Sequence, residues 1–238
     1  MPPILLIPFM KIERQPECPA DKQTGKSEQQ VEQQVIGITG GIGSGKSRVC
    51  TFLAEKYNFP LLSLDIICRN LLQPQKAGWQ ALRALLPDAY FTPNKELDRQ
   101  RFRQQLFVDS ALRSQVDTVL HPLARQEMEQ QIASLITGFG AGPDVNGPGP
   151  ILIEIPLLFE AGWQESVDMI IVVYADTTVR LQRIMQRDRV SEEQAKKAVA
   201  AQQCLREKAA SADHVIDNSG LWEQTCSQVQ QLVASDVF

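Results

Sequence analysis

The stretch Gly37-Ile38-Thr39-Gly40-Gly41-Ile42-Gly43-Ser44-Gly45-Lys46-Ser47 joins an apolar run to a glycine loop and then to a residue pair that opens a helix. Gly40, Gly45, Lys46 and Ser47 fit G-x-x-x-x-G-K-[ST], a spacing that chance supplies in about one chain of this size in a hundred at average glycine usage. The glycines let the backbone turn the N–H groups of Gly41, Ile42, Gly43, Ser44, Gly45, Lys46, Ser47 and Arg48 toward phosphate oxygens. The helix that begins at Lys46 adds its dipole. Lys46 is expected at the outer phosphates of a nucleotide and Ser47 on Mg²⁺. A loop that merely turned the chain would not require both.

Working outward, residues 35–38, 61–64, 151–155 and 169–174 are near-continuous apolar runs, and residues 46–57 carry Val49, Phe52 and Leu53 at helical spacing. Such strands, separated by helices, predict an α/β fold with a parallel sheet covered on both faces. Ligands of these sheets collect at the carboxyl ends of the strands, where the runs stop on Asp65, Pro156 and Asp176.

The 238 residues suffice for one sizeable core with inserted lobes. A net charge of -4 argues against non-specific nucleic-acid binding. Cys18, Cys50, Cys68, Cys204 and Cys226 are widely spaced without a C-x-x-C pair, so they read as reduced thiols in the cytoplasm. No apolar run is long enough to predict a membrane span. Residues 1–34 are expected to form a flexible arm, and the Gly/Pro-rich residues 138–150 an exposed loop.

A nucleotide loop alone does not name the phosphate acceptor. A regulatory GTPase is excluded: Asn94-Lys95-Glu96-Leu97 lacks the final Asp of NKxD and precedes Asp144-Val145-Asn146-Gly147, the reverse of the required order. Asp65 is either the N-cap of the following helix or a carboxylate that accepts or orients a proton from an attacking hydroxyl. Glu154 is a lone carboxylate in an apolar strand, and burial demands a partner such as Mg²⁺-bound water or an arginine; the alternative is a place at an exposed strand edge. Arg180, Arg183 and Arg187 share one helical face suited to clamping phosphate, or else a solvated surface. Ser191-Glu192-Glu193-Gln194 predicts a capping box opening a helix through about residue 210. Those two helices together predict a lid that excludes water.

Thr39 through Ser47, then Asp65-Ile66-Ile67-Cys68-Arg69, Leu97-Asp98-Arg99, His121-Pro122, Ile155-Pro156-Leu157-Leu158-Phe159-Glu160, Gln186-Arg187-Asp188 and Val215-Ile216-Asp217-Asn218 resemble the dephospho-CoA kinase family, in family order over residues 35 to about 232. The resemblance implies a P-loop NTPase of adenylate-kinase-like fold that phosphorylates the ribose 3′-hydroxyl of dephospho-CoA with ATP and Mg²⁺, the last step of coenzyme A synthesis. It further implies a core over about 35–64, 151–176 and 209–238, a helical substrate lobe over about 65–131 and a lid over about 177–208. Asp65 would position or deprotonate the hydroxyl, while Lys46, Arg183 and Arg187 hold the transferred phosphoryl group. Arg69, Arg99 and His121 match substrate-lobe positions, and Asn218 is placed near the adenine. For His121-Pro122 the plain alternative is a helix start with proline in its first turn. The chain departs from the family at Ser63-Leu64-Asp65, where Asp-x-Asp is usual, and at Arg48, where a second hydroxyl often stands. The rival readings are another small-molecule kinase of this fold, a non-catalytic ATP-binding protein and a nucleic-acid ATPase.

Overall fold

The computed structural model describes residues 33–139 and 149–235, so the expected arm and most of the expected glycine loop lie outside the described residues. Strands β1 (Val35–Gly40), β2 (Leu61–Ser63), β3 (Ile151–Glu154), β4 (Met169–Tyr174) and β5 (His214–Asp217) form one parallel sheet in the order β2-β3-β1-β4-β5. The runs at β1, β3 and β4 are strands buried on both faces, as their lack of alternation predicts, whereas β2 is half-buried and Leu64 already opens the next helix. Along β3, Ile151 and Ile153 join Ile67, Leu71, Ala124 and Met128 on one side of the sheet. Leu152 points the other way, to Val49, Leu53 and Val229. Helices α1 (Lys46–Tyr57) and α9 (Trp222–Ala234) supply that second side, while α2 (Leu64–Leu71) and α5 (Ser110–Phe139) supply the first.

A smaller cluster of Leu82, Leu86, Leu97, Phe102 and Val116 is built from α3 (Ala77–Leu85), α4 (Arg99–Val108) and the first half of α5. The second half of α5 packs Ala124 and Met128 into the main core. The expected lobe boundary at 131 therefore falls inside one continuous helix. His121 and Pro122 lie within α5, not at a helix start. The start is Ser110, where Asp109 Oδ1 accepts from the Leu112 N–H at 2.9 Å. Gly138 belongs to the last turns of α5 and not to the loop. An exposed helical glycine costs about 1 kcal/mol, and the packing of Met128, Ile132 and Leu135 upstream outweighs it.

Beyond β4, α6 (Thr177–Asp188) is followed by α7 (Glu192–Ala200), which opens on the expected capping box: Ser191 accepts from the Gln194 N–H, and the Gln194 side chain from the Ser191 N–H. The helix expected to run to 210 instead breaks at Ala201–Cys204 and resumes as α8 (Leu205–Ala210). The break follows from tertiary hydrogen bonds: Gln202 turns to Ile42 and the Gln203 N–H to Glu160.

Candidate active site

Strand β1 lies at the centre of the sheet and delivers the phosphate loop to its carboxyl edge, between β3 and β4. Gly43 and Gly45 have φ of 78° and 89°, a region that favours glycine. At Gly45, the N-cap of α1, an added Cβ would also lie 2.2 Å from Asn218 Nδ2. That contact shows what backs the loop. Asn218 is 4% exposed; its amide donates to Ser44 O at 2.7 Å and its carbonyl accepts from Thr225 Oγ1 at 3.0 Å. Arg183 donates to Gly43 O and Ser44 O, both at 3.3 Å, and to Asn218 O at 2.9 Å. Arg180, buried on the same helix, donates from Nε to Ile42 O at 2.9 Å.

The loop lysine is not left facing solvent. Lys46 Nζ donates to Glu154 Oε1, and the Ser47 hydroxyl donates to the same oxygen at 2.5 Å. Both Lys46 and Glu154 side chains are about nine-tenths buried, at 11% and 12% exposure. Burial raises the Glu154 pKa, but the hydrogen bonds from Lys46 and Ser47 and the lysine charge more than offset it, so the carboxyl is held below its ordinary value. The partner that burial of Glu154 requires is supplied here by the loop itself. Glu154 also sits on an interior strand, between β2 and β1, and pairs in register with Ser63 and Ile38.

Asp65 stands in the first turn of α2, exposed, two residues past the end of β2. The helix N-cap is Ser63, so Asp65 does not have the capping role. It lines a cleft of about 460 Å³ with Lys46, Ser47, the loop glycines, Arg183 and Arg187. The arginine face thus grades outward: Arg180 buttresses the loop from behind, Arg183 reaches both loop and cleft, and Arg187 is exposed on a 2.7 Å pair with Asp188. Burial foremost, and then the nearby Arg48 guanidinium, lower the Arg183 pKa. Arg48, also in the cleft wall, stacks its guanidinium 3.8 Å over the Trp222 ring.

Five expected site residues, Ser44, Asn218, Arg69, Arg99 and His121, are not in this cleft lining. Arg99 donates to Arg69 O at 3.4 Å on the exposed surface of the helical lobe. His121 lies 3.7 Å from Asp117 and edge-on to Trp163. Two residues have contacts that the sequence reading does not foresee. Gln202 lines the cleft, yet a glutamine at a helix end carries no sequence signal. Glu160, which pairs with the fully buried Lys208 at 2.6 Å, was visible only as part of a motif. Among the described residues Cys50, Cys68, Cys204 and Cys226 are free thiols. Burial foremost, then Glu154, pushes the Cys50 thiol up to about 12, which makes it unreactive. No described helix is long and apolar enough to cross a membrane.

Comparison with known proteins agrees with this geometry. The family model for dephospho-CoA kinase matches residues 34–224. The dephospho-CoA kinase of Desulfotalea psychrophila is 37% identical over 202 residues, covering 85% of this chain and 97% of its own. That of Oceanobacillus iheyensis is 34% identical, covering 84% and 96%. Among solved structures, the Thermus thermophilus protein TT1252 superposes with a TM-score of 0.70 at 28% identity, covering 86% of this chain and 98% of its own. Dephospho-CoA kinase from Campylobacter jejuni gives 0.59 at 25% identity, with the same coverage.

Proposed function

Because the chain belongs to the dephospho-CoA kinase family, we propose that the cleft between Asp65 and the phosphate loop is where it carries the terminal phosphoryl group of ATP to dephospho-CoA. The enzyme phosphorylates the ribose 3′-hydroxyl of dephospho-CoA, the final step of coenzyme A synthesis. One observation supports the site assignment above the others: the carboxylate of Asp65 lines a single cleft together with a lysine, a loop hydroxyl and two arginines. Such an arrangement suits phosphoryl transfer, which needs positioning and charge stabilisation more than covalent chemistry.

On this reading the loop N–H groups other than that of Ile42, which donates to Gln202, cradle the ATP phosphates, and Lys46 leaves Glu154 for the outer phosphates. Arg183 and Arg187 offset charge on the group in flight, and Asp65 orients the attacking hydroxyl and takes its proton. Asn218 acts through the loop it braces, since both ends of its amide already have protein partners. Ser47 Oγ and the Glu154 carboxylate form a pair of hard oxygen donors beside the loop, a set that fits Mg²⁺, which prefers one or two protein ligands together with phosphates and water. When bound, Mg²⁺ neutralises phosphate charge. Arg69, Arg99 and His121 are proposed as substrate contacts on the helical lobe over about 65–131. Residues 177–208 are proposed as the lid, its motion centred on α7 because α6 is tied to the loop by Arg180 and Arg183. The free thiols suit a cytoplasmic location.

The test is ADP release with Mg-ATP, with and without dephospho-CoA, and a product mass for one added phosphate on the ribose. Strong stimulation with that product is expected. A higher rate with adenosine or shikimate would instead make this another small-molecule kinase of the fold.

A further inference from the structure

The Ile42 peptide, third residue of the phosphate-loop motif, is gripped from both sides. Its carbonyl accepts from Arg180 Nε at 2.9 Å, and its N–H donates to Gln202 Oε1 at 2.7 Å. A backbone N–H can only donate, so the facing atom of Gln202 must be its carbonyl oxygen, and the amide orientation is fixed. Gln202 lies in the turn between α7 and α8, and that turn has its own anchor. The Gln203 N–H donates to Glu160 Oε1 at 3.2 Å, and Lys208 Nζ forms an ion pair with the same oxygen at 2.6 Å. The Lys208 side chain is 0% exposed, and a buried ammonium is tolerated only with such a partner. Lys208 therefore fixes Glu160, Glu160 the turn, and the turn Gln202. The same glutamine forms part of the cleft wall with Arg183 and Arg187.

We propose that Gln202 is a further positioning residue for phosphoryl transfer. Its carbonyl oxygen holds the Ile42 peptide, with Arg180 on the other side, so that the loop keeps its phosphate-binding curvature before ATP arrives. Glu160 and Lys208 are the support that aims it. The effect is preorganisation: a loop held in its binding shape loses less freedom when the nucleotide enters. A glutamine that only ended α7 would need no partner on the distant loop; its own turn is already closed by the Gln202 N–H to Val199 O bond.

The inference rests on the kinase reading, and its test separates the two. Gln202→Met keeps the side-chain length and removes the acceptor, whereas Gln202→Glu keeps an oxygen in place. Amide exchange at Ile42 in the nucleotide-free full chain is expected to quicken about tenfold in Gln202→Met and to stay near wild type in Gln202→Glu. In Gln202→Met, kcat/KM for ATP should fall about tenfold while KM for dephospho-CoA stays within about twofold and Tm is unchanged. Unchanged Ile42 exchange in Gln202→Met, wild-type ATP kinetics, or an equal loss toward both substrates would overturn the proposal. So would tighter ATP binding, which would make Gln202 a competitor of phosphate. A wild-type enzyme inactive on dephospho-CoA would remove the kinase reading and leave the exchange result to judge the clamp alone.

Discussion

Replacing Glu154 with Gln tests whether the loop is held by charge. Two hydrogen bonds, from Lys46 Nζ and Ser47 Oγ, converge on Glu154 Oε1. A hydrogen bond to a charged group contributes about 1 kcal/mol more than a neutral one, so neutralising the acceptor should remove about 2 kcal/mol across the pair. A neutral amide is easier to bury than a carboxylate, which returns about 1 kcal/mol. The net loss, about 1 kcal/mol, lowers Tm by about 3 °C in a domain of this size. The pH dependence follows from the lowered Glu154 pKa. A carboxyl with a folded pKa below its unfolded one stabilises fully above the unfolded value, about 4.3, and loses that contribution as pH falls through the folded value. The Tm gap between wild type and Glu154→Gln should therefore be full at pH 7, begin to narrow below about pH 4.3 and close once pH has fallen through the folded value. Thermal melts of both proteins across that range measure it. A gap that persists unchanged at about pH 3, or a variant as stable as wild type at pH 7, would refute the charge argument.

Asp65→Asn should leave ATP affinity intact and reduce turnover about 10²-fold; titration calorimetry and steady-state rates read the two separately, and near-normal turnover would remove the acid–base role. Arg187→Ala should slow transfer about tenfold or more with little effect on stability, because Arg187 is exposed and paired only with its neighbour Asp188. An unchanged single-turnover rate would count against the lid assignment.

The β1–loop–α1 unit was legible in the sequence because local rules agree there: an apolar run, glycines where φ is positive, and helical spacing after Lys46. What stayed hidden depends on distant partners. The end of α7 was overrun because nothing local breaks a helix at Ala201; the bonds of Gln202 to Ile42 and of Gln203 to Glu160 do so. The motif places Asn218 near the nucleotide, but its bond to Ser44 across 174 residues cannot be read from spacing. Glu154 was correctly marked as needing a partner, but its identity required the pairing of β1 with β3.

The strand order carries a consequence for how the chain acquires its shape. Strands β1 and β2 are made first yet are not neighbours; the slot between them is filled by β3, which begins at Ile151. Until then the β3-facing edges of both lack a strand partner, exposing a pairing hazard of the kind that recruits other chains. The glycine loop can be synthesised long before it can be a site, because Glu154, Arg183 and Asn218, which hold it, all arrive later. Nucleotide affinity is thus gained near the end of folding, and ATP should act as a ligand for the finished sheet rather than as a template for building it.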